Sequence, residues 1–248
     1  MQSSPHPEPP ELWHSLSEGA RALLEVNQLL LSRPLLQRMP RGDGHPVMTL
    51  PGFGGADGCM APLRGWLNRW GYDARPWNLG RNFPKYRMTS LDAAMEFREK
   101  MVMRAARELE KIFAETGDKV SLIGWSMGGL YAHELGQKHP EWVRQVITLG
   151  TPHGDPRGTA AWDIMRRLYN SEVPEEVQDI SGWMGTNMEN VAVPVTVIFS
   201  PTDGIVSQEV ATLRHANVNH LAVNSSHMGF ALNPRVYRLI GRQLARPV

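Results

Sequence analysis

Short apolar runs alternate with longer amphipathic segments along most of this chain. Each run is rich in β-branched or aliphatic residues and is bounded by glycine, proline or polar residues, which is typical of buried strands. Strands that alternate with helices indicate a mostly parallel central sheet with helices on both faces, an α/β fold. The predicted strands are 46–50, 71–77 (a short one), 120–123, 143–149, 194–199 and 220–223.

Apolar positions at helical spacing predict helices in the segments between the strands. We expect two parts: residues 1–44, a proline-rich start with an amphipathic helical leader, and residues 45–248, the α/β domain. The charges of the leader are mixed rather than basic. We therefore expect its apolar face to pack against the domain rather than lie on a membrane or form a dimer contact. The predicted helices are 11–31, 59–70, 90–116, 129–139 and 234–244, with a further short apolar piece at 35–39.

Residues 156–192 interrupt the alternation of strands and helices. Two short helices with large apolar side chains are predicted there. Such an insertion is compatible with a small lid over a functional site. It is equally compatible with two ordinary crossover helices, and the pattern does not choose between them.

Composition narrows the class of protein. Of the 248 residues, 42% are hydrophobic and 21% are charged, which is ordinary for a globular domain. A net charge of +1 without a basic block argues against a nucleic-acid partner. One cysteine, Cys59, excludes disulfides within the chain. No secretory signal pattern and no long apolar run are found, so we expect no transmembrane segment and a cytoplasmic location; the oligomeric state stays open.

The strongest chemical motif is Gly-x-Ser-x-Gly at Gly124, Ser126 and Gly128, between a predicted strand and a predicted helix. A tight strand-to-helix turn holds a serine hydroxyl exposed, and the glycines allow close backbone approach. The free N–H groups at the start of the helix point to where an oxyanion would form. The plainer alternative is a glycine-rich turn in which Ser126 only caps the helix.

A base and an acid are predicted after later strands. Asp203 and His227 each follow a predicted strand, so with Ser126 they are expected at the same edge of the sheet. In this hypothesis, His227 takes the proton of Ser126, and Asp203 orients the imidazole. Asp155 is the alternative acid. Asp203 is preferred because it follows the longest apolar strand.

The segment Pro51-Gly52-Phe53-Gly54-Gly55 directly follows the first strand. Its three glycines free the backbone to turn N–H groups inward. The backbone N–H groups of Phe53 and Met127 are the candidate oxyanion donors.

These motifs, together with Thr148-Leu149-Gly150-Thr151-Pro152-His153-Gly154 and Ser226-His227-Met228-Gly229, resemble the α/β-hydrolase superfamily of the lipase and esterase type. More closely, Leu79-Gly80-Arg81-Asn82 and the segment from Ser226 to Pro234 resemble a bacterial group of alpha/beta-fold hydrolases. The resemblance covers about residues 45–245 and implies the α/β-hydrolase fold. Many members of the wider family have His-Gly before the oxyanion residue, whereas this chain has Pro51-Gly52.

The resemblance implies serine-dependent hydrolysis of a small-molecule carboxylic ester without a metal or an organic cofactor. Thioesterase and acyltransferase activities use the same triad and stay open, as does a non-catalytic binding module on this fold. Aromatic residues near the site suggest an apolar pocket. The candidate pocket residues are Trp77, Trp125 and Phe230, with His153 as a candidate for which a loop or packing role is also open.

Overall fold

A parallel sheet forms the centre of the protein. The computed structural model describes residues 7–86, 91–160, 162, 191–213 and 215–247. The strands within them are β1 (Pro46–Leu50), β2 (Asp73–Pro76), β3 (Val120–Trp125), β4 (Val143–Leu149), β5 (Val195–Phe199) and β6 (Val218–Ala222). These six strands pair in parallel in the order β2-β1-β3-β4-β5-β6, which confirms the predicted α/β fold.

Helices cover both faces of this sheet, and each face has its own hydrophobic core. The side chains of β3 show why, because successive residues of a strand point to opposite faces. Val120 and Leu122 pack into one core with the helices Leu91–Thr116 (α4) and Met127–Lys138 (α5). Ile123 and Trp125 pack into the other with the helices Asp57–Trp70 (α3) and Pro234–Leu244 (α7). The other helices of the described residues are α1 (Leu12–Leu31), α2 (Arg33–Leu36) and α6 (Gln208–Ala211).

The leader helix α1 lies against the domain near α2 and α7, but with the opposite face from the one expected. Glu18 and Glu25 are buried, and the apolar side is exposed. The expectation that the apolar face packs inward is therefore wrong. The physical reason is that the loops after β5 and β6 present backbone N–H groups to α1. The carboxylates of Glu18 and Glu25 accept hydrogen bonds from these groups, which an apolar side chain could not do. The exposed residues are Leu12, Trp13, Leu16, Leu23, Leu24, Leu30 and Leu31.

Two other expectations concern the chain outside this core. Most of 156–192 lies outside the described residues. Its described beginning holds a short 3₁₀ turn, Pro156–Gly158. Whether the segment is a lid or a pair of crossover helices therefore stays a prediction. No helix in the part of the chain that the structure describes is long and apolar enough to span a bilayer.

Candidate active site

Ser126 occupies a strained turn between β3 and α5. Its backbone has φ 53° and ψ −125°, which is unusual for a residue with a side chain. The turn is held because the Ser126 N–H donates to the carbonyl of Leu149 on β4 (2.8 Å). Among the described residues, the Ser126 side chain makes no capping hydrogen bond to α5, so its hydroxyl is not engaged as a helix cap.

Glycines let three pieces of backbone meet around this turn. A Cβ on Gly124 would lie 2.3 Å from the carbonyl oxygen of Gly128, and one on Gly128 would lie 2.3 Å from that of Leu50. A Cβ on Gly52 would lie 3.0 Å from the Cβ of Ser126. Side chains at these positions would push β1, β3 and α5 apart. The glycines of the motif are therefore required by packing.

Asp203 and His227 form a buried pair in the loops after β5 and β6. His227 Nδ1 lies 2.8 Å from Asp203 Oδ2, and both residues are only 3% exposed. The other oxygen, Oδ1, accepts hydrogen bonds from the N–H groups of Ile205 (2.8 Å) and Val206 (2.9 Å). Because these bonds fix the carboxylate, it can fix the imidazole in turn.

The charge of this pair governs the titration of the imidazole. Burial by itself lowers the pKa of His227, but the charge of Asp203, its hydrogen bond and the charge of Glu18 act in the opposite direction. The net result is a pKa of His227 raised above its usual value of 6.5. With Nδ1 facing Asp203, Nε2 is the ring nitrogen left to exchange a proton with another group.

Trp125 connects the serine turn to the histidine loop. It directly precedes Ser126, and its Nε1 donates to the carbonyl oxygen of His227 (3.0 Å). The Phe230 ring packs edge-on against the His227 ring, with 6.2 Å between centroids. Both aromatic residues are buried and orient the histidine loop, and a further role of either in a substrate pocket stays a prediction.

Asp155, the alternative acid, is engaged elsewhere. Its carboxylate accepts a hydrogen bond from the N–H of Arg157 (2.9 Å) and from the guanidinium of the same residue. It caps the 3₁₀ turn at Pro156–Gly158. The geometry thus favours Asp203 as the partner of His227.

The candidate oxyanion donors lie on the glycine-rich loop and at the start of α5. Met127 is the first residue of α5, so its N–H has no acceptor within the helix. Phe53 makes no backbone hydrogen bond from its N–H to any described residue. Asn82 braces the loop around Phe53. Its side-chain Nδ2 donates to Pro51 O (3.0 Å), and its backbone carbonyl oxygen accepts from Gly54 N (2.7 Å).

Two predicted pocket residues have packing roles. Trp77 is fully buried, stacks on Tyr131 (6.3 Å between ring centroids) and donates from Nε1 to Gly80 O (3.1 Å). His153 is 2% exposed, and its Nε2 lies 3.0 Å from the hydroxyl of Thr148. Burial lowers the pKa of His153 well below its usual value, so it stays neutral. Whether either residue also lines a substrate pocket stays a prediction.

Sequence reasoning did not find three residues that support the site: Glu18, Glu25 and Asn82. The two glutamates contact the histidine loop, and Asn82 braces the glycine-rich loop that follows β1. A signal for the glutamates does exist, because a spacing of seven residues places them on one helical face. Nothing in that spacing says what this face contacts.

The chain belongs to a known family of alpha/beta domains. The profile of the PGAP1-like alpha/beta domain matches residues 84–229, more than half of the chain, and the chain belongs to that family. The matches to curated sequence relatives span a smaller part of the chain. The chain is 32% identical over 89 residues to a pimeloyl-[acyl-carrier protein] methyl ester esterase of Yersinia enterocolitica, and the match spans 34% of each protein. The enzyme of the same name from Legionella pneumophila is 33% identical over 82 residues, 34% of its length.

Solved structures resemble the chain over most of its length. The mature Bacillus licheniformis lipase BlEst2 superimposes with a TM-score of 0.57 at 20% identity, covering 84% of this chain and 94% of the lipase. The putative non-heme bromoperoxidase BpoC of Mycobacterium tuberculosis gives 0.58 at 18% identity, covering 82% and 92%. At such low identity these similarities establish the fold alone.

Proposed function

We propose that this protein hydrolyses carboxylic esters through a Ser126–His227–Asp203 triad and an acyl-enzyme intermediate. The observation that carries the proposal is the buried Asp203–His227 hydrogen bond, in the same strand-end region as a serine held on a strained strand-to-helix turn. A neutral imidazole fixed at Nδ1 by a carboxylate is the base that a serine nucleophile needs.

In the first half-reaction, Ser126 Oγ attacks the ester carbonyl carbon, and its proton moves to His227 Nε2. The electron pair of the C=O bond moves to the oxygen, and the N–H groups of Phe53 and Met127 stabilise that oxyanion. The tetrahedral species then collapses and the bond to the alcohol oxygen breaks. His227 Nε2 returns its proton to this oxygen, so the alcohol leaves and an acyl-serine remains.

In the second half-reaction, water replaces the alcohol. His227 Nε2 removes one proton from the water as its oxygen attacks the acyl carbon. Collapse of the second tetrahedral species breaks the bond to Ser126 Oγ, which takes the proton back from Nε2. A carboxylic acid is released. The two half-reactions together convert the ester and water into an alcohol and an acid, and this reaction requires no metal or organic cofactor.

Thioesters and transfer to another alcohol remain alternatives with the same triad, because only the leaving group or the second nucleophile differs. A non-catalytic binding module is disfavoured because the chain has Ser126 as well as the hydrogen-bonded pair of Asp203 and His227. The partial relatives are named methyl ester esterases of an acyl-carrier-protein-linked chain. Methyl esters of acyl chains are therefore one substrate class to compare with simple nitrophenyl esters and with acyl thioesters.

The test combines covalent labelling with turnover. A fluorophosphonate probe should label the wild type, and Ser126→Ala should abolish labelling and lower kcat by at least about ten-thousandfold. The melting temperature should hardly change, because the hydroxyl makes no capping bond. Ser32→Ala, at the end of α1, is the matched control and should behave like the wild type. Labelling that persists in Ser126→Ala would exclude Ser126 as the nucleophile.

A further inference from the structure

Glu18 of α1 contacts both loops of the proposed acid–base pair. Its Oε1 accepts hydrogen bonds from the backbone N–H of Gly204 (2.8 Å) and of His227 (2.9 Å). Its Oε2 accepts from the N–H of Met228 (3.1 Å). Gly204 directly follows Asp203, so one carboxylate oxygen bridges the acid loop and the base loop.

Two more residues of the same helix strengthen this connection. Glu25 accepts from Ser226 N (2.9 Å) and from Asn233 Nδ2 (3.0 Å), and its other oxygen accepts from the Ser226 hydroxyl. The Arg21 guanidinium donates to the carbonyl oxygen (2.6 Å) and hydroxyl (2.8 Å) of Thr202, just before Asp203. Helix α1 thus holds both loops through polar side chains on successive turns.

Helix packing alone would not require buried carboxylates here. Burying a charged group is unfavourable unless it is hydrogen-bonded, and well-packed apolar residues often stabilise a fold as well or better. Glu18 and Glu25 are each 7% exposed, while leucines of the same helix face solvent. The arrangement is explained if the loops need acceptors at fixed places.

We propose that Glu18 is a positioning residue that sets the relative placement of Asp203 and His227. This rests on the proposed ester hydrolysis, because it assigns Glu18 a role through the triad. A misplacement of about 1 Å between catalytic groups can cost about a hundredfold in rate. Glu18 does not touch substrate in this role and acts through the backbone of both loops.

The charge of Glu18 adds a second consequence. Among the described residues, the charged groups facing His227 are Asp203, from the loop after β5, and Glu18, from α1. Glu25 contacts the neighbouring Ser226. The charge of Glu18 helps to raise the pKa of His227. Since the neutral imidazole is the base, kcat/KM rises with pH through this pKa. Removing the charge should move this acid limb to lower pH.

The test is Glu18→Gln, with Glu11→Gln as the matched control because Glu11 is an exposed residue beside the start of the same helix. We expect kcat of Glu18→Gln to fall about ten- to hundredfold, because the amide NH2 would face the N–H of Met228, a second donor, and so displace the side chain from the bridge. We also expect KM to change little and the acid limb of kcat/KM to shift downward. Glu11→Gln should match the wild type in all three. Melting temperatures are measured so that rates are compared well below unfolding.

Glu18→Asp separates geometry from charge. It keeps the carboxylate but shortens the side chain, so kcat should fall while the acid limb stays near the wild-type position. A folded Glu18→Gln with wild-type kcat and an unmoved acid limb would overturn the proposal. Failure of both variants to fold by circular dichroism would also overturn it, since Glu18 would then stabilise the fold only.

Failure of the proposed function gives a different result. A wild type that neither labels with fluorophosphonate nor turns over any ester removes the catalytic role of His227, and the positioning role falls with it. A wild type whose activity depends on Ser126, beside an unaffected Glu18→Gln, removes the positioning role alone.

Discussion

The serine turn and the histidine loop are built by different kinds of contact. Around Ser126, glycines of the motif itself and the adjacent ends of β1 and β4 fix the backbone. The loop of His227 is held by a glutamate 209 positions away along the chain. The backbone of Ser126 is thus fixed mainly by its own motif. The loop of His227 is held by a helix that precedes the whole sheet in sequence.

This difference explains how the two regions should respond to substitution. Packing of backbone on backbone has no room to relax, so a side chain added at a glycine of the serine turn should disturb the fold. Hydrogen bonds from side chains to a loop leave more freedom, so a change there should alter rate more than stability. Three substitutions test this contrast, from the largest expected effect to the smallest.

Asp203→Asn should have the largest effect, with kcat lowered by about ten-thousandfold. An amide can leave the imidazole in the wrong tautomer while the site keeps its shape. Asp155→Asn is the matched comparison, because its carboxylate caps a turn and pairs with Arg157. It should cost about 1 kcal/mol of stability and little rate. Ester turnover and thermal unfolding measure both, and a greater rate loss for Asp155→Asn would transfer the acid role to that residue.

Gly128→Ala should act on stability. The new Cβ would lie 2.3 Å from the carbonyl oxygen of Leu50, so β1 and α5 must separate. We expect a loss of about 3 kcal/mol or more in the free energy of unfolding. Gly19→Ala, on α1, is the control, because a Cβ added there would have no atom within 4 Å. It should raise stability by about 0.5–1 kcal/mol. Equal effects of the two substitutions in denaturant unfolding would contradict the packing argument for the serine turn.

Much of the sheet and the order of the candidate triad could be predicted because their signals are local. β1 begins after a turn and runs into glycines, and β4 and α7 have the predicted bounds. A buried apolar run and a Gly-x-Ser-x-Gly turn carry their own structural requirements, whatever packs around them. Trp77 is predicted as a pocket residue because it is aromatic and lies near the site in the predicted fold. The sequence could not show that this ring stacks in the core on Tyr131.

The orientation of α1 could not be predicted from the same signals. An amphipathic pattern defines two faces but not which face meets the domain. The N–H groups of Gly204, His227 and Met228 determine which face of α1 meets the domain. They become neighbours of α1 only after the sheet has formed. A prediction based on the leucines alone therefore buries the wrong face of α1.

The smallest effect is expected for Glu25→Gln, which tests how strongly the second glutamate holds the histidine loop. The amide oxygen can still accept from Ser226 N and Asn233, and the amide N–H can donate to the Ser226 hydroxyl, so most of the network survives. We expect kcat to fall by no more than about fivefold, consistent with roughly 1 kcal/mol for one weakened hydrogen bond. Glu25→Leu removes every acceptor and should lower both kcat and the melting temperature more. If Glu25→Gln instead lost as much activity as Glu18→Gln, the loop would depend on charge along all of α1 and not on the bridge at Gly204 and His227. Steady-state kinetics of the three variants at one pH above the acid limb distinguishes these outcomes, because His227 is then neutral in each.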